Sequence, residues 1–141
     1  MELNEILSVG LKGNASDIHL KVGLPPIYRI DGTLRPLPNA PRITPEFAET
    51  FCNQIMNEMQ RERFERAREV DLAYGVPGLG RFRVNAFSQR GSISLVFRAI
   101  PFDIKGIDDL LLPPVIKKMC MAGRGLILLT CGVYGNVVRF L

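Results

Sequence analysis

Two neighbouring segments, residues 81–88 and 92–99, combine arginines with alternating apolar residues and predict a pair of β-strands. Alternation places Arg81 and Arg83 on one face of the first strand, while Arg98 lies on the polar face of the second. Guanidinium groups bind phosphate oxygens through two parallel N–H bonds, so a strand face with three arginines suits a polyanion. The chemistry that this hairpin predicts is phosphate binding.

The register of the predicted hairpin follows from its apolar faces. For both faces to meet one core, opposed residue numbers must sum to an odd value, and a two-residue turn at Arg90-Gly91 gives that parity. Arg83 then lies directly across from Arg98, with Arg81 as a diagonal neighbour. Like charges opposed in this way destabilise a hairpin by about 0.2–1 kcal/mol, so folding alone does not require the arrangement. Either a bound polyanion offsets the repulsion, or the arginines extend into water or pair with Asp and Glu from elsewhere.

The segments before the hairpin predict the elements that position it. Apolar spacing predicts a helix over residues 2–12. Strict alternation over residues 17–22 predicts a half-buried strand with Asp17 and His19 on its outward face. Asp31-Gly32 is typical of a tight turn between two further strands.

A second helix is predicted to begin at Thr44, as the N-cap, with Pro45 in its first turn. Its apolar face is expected to carry Phe47, Phe51, Ile55 and Met59. The run that follows, residues 60–69, alternates arginine and glutamate, with Glu62–Arg66 and Glu65–Arg68 as attracting pairs. Because its acids cancel its bases, we interpret this run as a solvated helix face rather than a nucleic-acid patch.

The last third of the chain predicts a helix over residues 108–121, interrupted by Pro113-Pro114, and then an apolar strand at Leu126–Leu129. An apolar run without alternation is typical of a strand buried on both sides, as in a parallel sheet.

Chain length, net charge and the cysteine and histidine content limit the kinds of protein that this sequence can encode. A chain of 141 residues with a net charge of +4 is expected to form one domain, or one domain plus part of a second. The three cysteines, Cys52, Cys120 and Cys131, are interpreted as reduced, mostly buried thiols. His19 is the single histidine, which argues against a zinc site. No stretch approaches the roughly 20 apolar residues of a membrane helix, so a soluble, intracellular protein is expected.

Four sequence blocks occur in a specific order and at specific separations. They are A-S-D-I-H-L at residues 15–20, G-R-F-R-V-N-A-F at 80–87, F-R-A-I-P at 97–101 and G-L-I-L-L-T at 125–130. Together they resemble the N-terminal part of PilT-like type IV pilus retraction ATPases, the twitching-motility branch of the secretion ATPases.

The resemblance implies an α/β (α+β) fold. It implies a PAS-like N-terminal domain over residues 1–100, with an antiparallel sheet and flanking helices, then a linker with a helix over residues 101–124. Residues 125–141 would begin a truncated RecA-like ATPase domain with an atypical tail.

The resemblance also implies roles. Arg83 and Arg98 match positions whose arginines reach the phosphates of ATP held by the C-terminal domain, with Arg81 adjacent; they would stabilise negative charge on the transferring phosphoryl group. Asp17 and His19 match a family signature and are interpreted as structural or interface residues. The family implies ATP and Mg²⁺, hexamers of like subunits, pilus inner-membrane machinery as partner, and a cytoplasmic location peripheral to the inner membrane.

The resemblance ends inside the phosphate-cradling loop. In the motif G-x-x-x-x-G-K-[ST], counted from Gly132, the second Gly, the Lys and the Ser/Thr are replaced by Val137, Val138 and Arg139. We therefore expect no complete catalytic set, no tight binding of ATP and no hydrolysis by this chain alone. A frameshifted or otherwise altered tail from about Cys131 onward is the corresponding hypothesis.

Two functions follow. One is a truncated subunit of a retraction ATPase or a close paralogue. The alternative is a stand-alone PAS-like binding or assembly module that modulates ATPase rings without catalysis. Nucleic-acid binding is disfavoured because the charge is modest and no basic cluster stands free of acids.

Overall fold

The computed structural model describes residues 2–103, 105–125, 129–131 and 137–139. In chain order the elements are α1 (Leu3–Lys12), β1 (Asp17–Lys21), β2 (Ile27–Ile30), β3 (Thr33–Pro36), α2 (Pro45–Ile55), α3 (Glu58–Ala67), β4 (Glu69–Val76), β5 (Gly80–Gln89), β6 (Ser92–Ile100), α4 (Val115–Cys120), β7 (Leu129–Cys131) and β8 (Val137–Arg139). The chain divides into two compact units, Met1–Phe102 and Asp103–Leu141.

The first unit is built on a six-stranded sheet with the order β3-β2-β1-β6-β5-β4. Every neighbouring pair of these strands is antiparallel. β1 and β6 lie side by side at the centre, so the sheet joins the start of the unit to its end. The predicted α/β class, with an antiparallel sheet and helices, is confirmed.

One face of the sheet packs against helices. The core consists of inward side chains from the strands and apolar side chains from α1, α2 and α3, and its largest fully buried members include Leu3, Ile6, Ile18, Phe82, Leu95 and Phe97. Phe82 and Phe97, on adjacent strands, meet edge to face with ring centroids 6.2 Å apart. The opposite face, which carries the polar side chains of β5 and β6, is therefore held on a well-packed base.

α1 begins with a reciprocal cap, in which the side chains of Glu2 and Glu5 each accept a hydrogen bond from the other's backbone N–H. It packs closely on β1 at Gly10, where a Cβ atom would lie 2.5 Å from Cδ1 of Ile18. The helix ends at the predicted place, and Asn14 rather than Gly13 takes the left-handed conformation, with φ of 54°.

α2 begins as predicted, because Oγ1 of Thr44 accepts a hydrogen bond of 3.3 Å from the backbone N–H of Phe47. It ends at Ile55, where Met56 becomes extended and Asn57 caps a new helix together with Gln60. The expectation that Met59 continues the apolar face of α2 is wrong, since this restart turns Met59 outward and leaves it 77% exposed.

α3 carries the arginine–glutamate run on an exposed surface, with Phe64 as its buried anchor. Glu62–Arg66 and Glu65–Arg68 form no salt bridge in the described part of the chain. For the second pair the reason is conformational, because Arg68 ends the helix in the left-handed region with φ of 60°.

The described residues of the second unit depart from the predicted elements. The helix expected over residues 108–121 is reduced to α4, which begins directly after Pro113-Pro114, because proline cannot continue a helix that precedes it. β7 pairs with β8 in antiparallel register. Residues 126–128 of the predicted apolar strand and residues 132–136 of the degenerate loop lie outside the described residues.

Three further observations concern the cysteines, membrane-spanning helices and metal-binding groups. Cys52 is buried but Cys120 is exposed, so the prediction of mostly buried thiols is wrong for Cys120, whose short helix packs none of its residues inward. Among the described residues, no helix is long and apolar enough to cross a membrane. The same residues contain no group of three metal-binding side chains.

Candidate functional site

The hairpin of β5 and β6 has the predicted register. Arg90 and Gly91 form its turn with φ values of 53° and 75°, the two left-handed residues that suit the twist of the flanking strands. Arg83 is the direct partner of Arg98, and Arg81 pairs with Ile100. Two like charges are thus opposed at the centre of the polar face.

Arg98 is held by a carboxylate on the next strand. Its Nε donates a hydrogen bond of 3.0 Å to Oδ1 of Asp17, the residue directly opposite it in the β1–β6 pair. The side chain of Arg98 is 68% exposed and that of Asp17 only 9%. The guanidinium therefore covers the carboxylate while facing solvent itself.

Asp17 receives a second arginine from its other side. Nε of Arg29, opposite Asp17 in the β1–β2 pair, lies 3.3 Å from Oδ2. Oγ of Ser16 donates a hydrogen bond of 2.9 Å to the same oxygen. Asp17 does point away from the helices, as alternation predicts, but the expectation of a solvent-facing side chain is wrong because the neighbouring arginines bury it.

The environment of Asp17 favours its charged form. Burial alone would raise the pKa of the carboxyl, but the hydrogen bonds from Arg98 and Ser16 and the charge of Arg98 outweigh it and lower the pKa. Asp17 is thus a fixed negative charge between two arginines.

Arg83 has a looser partner. Its Nη2 lies 3.3 Å from Oδ2 of Asp71 on β4, and both side chains are more than half exposed. Asn85, two residues along β5, donates a hydrogen bond of 3.0 Å to Glu69. The alternative left open by the sequence, that the arginines pair with acids from elsewhere, therefore describes Arg83 and Arg98 in this structure.

These side chains surround an open cavity of about 230 Å³, which is lined by Asp17, Asp71, Arg83, Asn85, Val96 and Arg98. The residues predicted from spacing thus divide into two groups: Arg83 and Arg98 share the cavity, while Arg81 does not line it. The guanidinium of Arg81 lies instead over the ring of Phe102, 5.8 Å from its centroid.

Arg29 is a participant that sequence reasoning missed. It contacts Asp17 only because β2 pairs with β1, and its own spacing in the sequence carries no sign of this. The Asp31-Gly32 turn does predict that β2 pairs with β3. It does not predict which residues of β1 lie opposite those of β2, so it could not place Arg29 beside Asp17.

His19 lies two residues from Asp17 on the same face of β1. It is half-buried, and its Nε2 is enclosed without a hydrogen-bond partner in the described part of the chain. Burial and the charge of Arg29 lower its pKa, while Asp17 opposes them. On this face of the sheet, His19 lies beside the apolar side chains of Ile27, Phe87 and Val96.

The arrangement suits an anion more than a metal ion. Both carboxylates at the cavity accept hydrogen bonds from arginines, so the exposed groups that the cavity offers to a ligand are mainly cationic. The guanidinium groups of Arg83 and Arg98, both about two-thirds exposed, offer donors to phosphate oxygens.

Comparison with known proteins identifies the family. No protein-family profile matches the chain. Over 130 residues, 92% of this chain, it is 40% identical to the type IV pilus retraction ATPase PilT of Pseudomonas aeruginosa. Over 128 residues, 91% of the chain, it is 34% identical to the type IV pilus ATPase PilU of the same organism. The chain belongs to the PilT-like family of type IV pilus ATPases.

The likeness to PilT extends to the fold. The crystal structure of the pilus retraction motor PilT with bound ADP superimposes on 86% of this chain with a TM-score of 0.77 and 38% identity. The chain spans 38% of the length of the curated PilT and 33% of PilU, so the match covers a minor part of each relative.

Proposed function

We propose that this chain acts as the N-terminal domain of a type IV pilus retraction ATPase and presents Arg83 and Arg98 to the phosphates of ATP. The nucleotide would be held by an ATPase domain of the same or a neighbouring subunit. The observation that carries the proposal is the pair itself: two exposed guanidinium groups directly opposed on one strand face and lining one cavity. An anion between them would offset their mutual repulsion.

In that setting the arginines act by charge. Guanidinium donors that face the transferring phosphoryl group stabilise the negative charge that builds on it, and they need no proton transfer. Mg²⁺ would neutralise other phosphate oxygens of the nucleotide. We assign Arg81 an accessory role, because its guanidinium is directed to Phe102 instead.

The kinship with PilT and PilU, and the ADP in the PilT crystal structure, support a nucleotide as the anion. By the same kinship we propose that the chain associates with like subunits in a hexameric ring, in the cytoplasm at the inner-membrane pilus machinery. The PAS-like character of the first unit belongs to this proposal as well.

Titration of the full chain with ATP, followed by the Nε–Hε NMR signals of its arginines, tests the phosphate assignment. We expect weak binding, because this chain would supply only one side of the site, and the bound ATP should perturb the signals of Arg83 and Arg98. The double variant Arg83→Ala/Arg98→Ala should lose it. Arg63→Ala/Arg66→Ala, which removes two exposed arginines on α3, is the charge-matched control and should bind as wild type does. Equal affinity in all variants would overturn the assignment.

Mixing the chain with a PilT-like ATPase tests the partner assignment. If the chain docks onto such subunits, ring assembly or the rate of ATP hydrolysis should change with its concentration, and the double arginine variant should change the rate less. An unaltered ring and rate at a large excess of chain would contradict the proposal.

A further inference from the structure

The negative charge of Asp17 is unexpected at a site for phosphates. A carboxylate that lines the cavity repels an anion, yet Asp17 is the most buried charged group there. A buried carboxylate is tolerated only when it is paired and hydrogen-bonded, and Asp17 has three partners, Arg29, Arg98 and Ser16. Three side chains therefore stabilise the negative charge of Asp17.

Asp17 contacts its two arginines at the side of each guanidinium group that lies nearest the backbone. It binds both Arg98 and Arg29 through Nε, the nitrogen nearest the backbone. Nη1 of Arg29 is occupied by a hydrogen bond of 3.1 Å to the carbonyl oxygen of Gly32. Neither terminal nitrogen of Arg98 donates to any residue that the structure describes, so four of its five N–H groups stay available.

Asp71 contacts its arginine in the opposite way. It takes Nη2 of Arg83, one of the nitrogens that would face a phosphate, and both partners are exposed. Asp71 therefore competes with a phosphate for the Nη2 end of Arg83, whereas a phosphate that binds the terminal nitrogens of Arg98 leaves the Asp17 contact in place. The two aspartates carry the same charge and line the same cavity. From their contacts we expect Asp17 to favour phosphate binding and Asp71 to oppose it.

We propose that Asp17 is a positioning residue for phosphate binding: it anchors Arg98 by Nε, with Arg29 bracing the carboxylate from the other side, and so holds the terminal guanidinium nitrogens of Arg98 toward the phosphates. Asp71 is a competitor that the phosphate replaces. This inference rests on the proposed function, since it assigns a second residue to the same site.

The test compares Asp17→Asn with Asp71→Asn, which change the net charge of the cavity equally. The probe is inorganic tripolyphosphate at fixed ionic strength, added to the full chain, with the arginine Nε–Hε signals as readout. Asp17→Asn should weaken binding about tenfold, roughly the value of one charge-assisted hydrogen bond. Asp71→Asn should tighten it. If charge alone mattered, both variants would bind more tightly, and that result would overturn the inference.

A second variant separates positioning from folding. Asp17→Glu keeps the charge and displaces the carboxylate by one methylene; it should weaken binding while the net charge is unchanged. The Nε–Hε signal of Arg98 should also exchange faster with water in both Asp17 variants, and an unchanged Arg98 signal with unchanged affinity would contradict the anchoring contact. Should Asp17→Asn fail to fold, Asp17→Glu and the wild type carry the comparison.

Arg98→Ala distinguishes failure of this inference from failure of the proposed function. If Arg98→Ala binds tripolyphosphate as well as wild type does, the phosphate site itself is wrong. If Arg98→Ala weakens binding while Asp17→Asn does not, the site stands and Asp17 does not position it. If Asp17 positions Arg98, Asp17→Asn should change the affinity for tripolyphosphate little in the Arg98→Ala background, because the side chain that Asp17 positions is then absent.

Discussion

Arg83 and Arg98 face each other across an antiparallel strand pair, and each is held by an aspartate from the strand beyond. The repulsion between the two guanidinium groups is thereby offset on the outer sides, while the space between them stays open as a cavity of about 230 Å³. The two aspartates differ in depth, because Asp17 is buried and Asp71 is exposed. That difference leads to distinct expectations for stability.

Loss of Asp17 should destabilise the fold more than loss of Asp71. Asp71→Asn breaks an exposed ion pair and should lower the free energy of unfolding by less than about 1 kcal/mol. Asp17→Asn leaves a buried site with two arginines and no countercharge, and we expect a loss of about 1–3 kcal/mol. Urea denaturation at neutral pH measures both, and equal losses would show that burial of Asp17 does not strengthen its contacts.

The same carboxyl should contribute to the stability of the protein against acid. Because its pKa is lowered in the folded state, the folded protein releases this proton more readily than the unfolded chain. The contribution is complete above the ordinary value of 3.8 and is lost as the pH falls through the folded pKa. Denaturation curves between pH 5 and pH 2 should therefore fall less steeply for Asp17→Asn than for wild type, with Asp71→Asn as the control. Parallel curves for wild type and Asp17→Asn would contradict the lowered pKa.

The hairpin was predictable from sequence because its information is local. The parity of apolar residues and the Arg90-Gly91 turn set its register without reference to any other strand. The burial of Asp17 was not predictable, since it depends on pairing with Arg98, a residue 81 positions away. The break between α2 and α3 was missed for a different reason: the apolar spacing continues through Met59, while the cap formed by Asn57 and Gln60 overrides it.

His19 should make stability depend on pH in a second, higher range. Its pKa is lowered from the ordinary value of 6.5, chiefly by burial and then by the charge of Arg29. The unfolded chain thus binds the proton first, so stability is complete above pH 6.5 and declines as the pH falls through the folded pKa. Since the chain has a single histidine, NMR titration of its ring reports that pKa directly. His19→Gln should remove this slope, and a folded pKa above 6.5 would contradict the expectation.

Gly10 should resist enlargement because α1 packs closely on β1 there. A Cβ atom would lie 2.5 Å from Cδ1 of Ile18 and 3.1 Å from Cε1 of Tyr28, both buried. Overpacking of this kind costs about 1–3 kcal/mol, against a gain of up to about 1 kcal/mol in helix propensity. We expect Gly10→Ala to lower the free energy of unfolding by about 1–2 kcal/mol in urea. Gly75→Ala, with no atom within 4 Å of the added Cβ, is the matched control and should change it little.

The cysteines should differ sharply in reactivity. Burial, with a smaller effect of Glu49, raises the pKa of the Cys52 thiol to about 11, so at pH 8 about one molecule in a thousand carries the thiolate. Cys120 is exposed. A brief pulse of iodoacetamide at pH 8, followed by peptide mapping, should label Cys120 more than about a hundredfold faster than Cys52.

Unfolding should abolish that difference, because it removes the burial that protects Cys52. In concentrated urea the two peptides should be labelled at similar rates, and Cys120→Ser should leave the slow labelling of Cys52 in the native protein unchanged. If Cys52 reacts as fast as Cys120 in the native chain, the packing of α2 against the sheet is looser than the structure describes, and the base that supports the arginine face is not rigid.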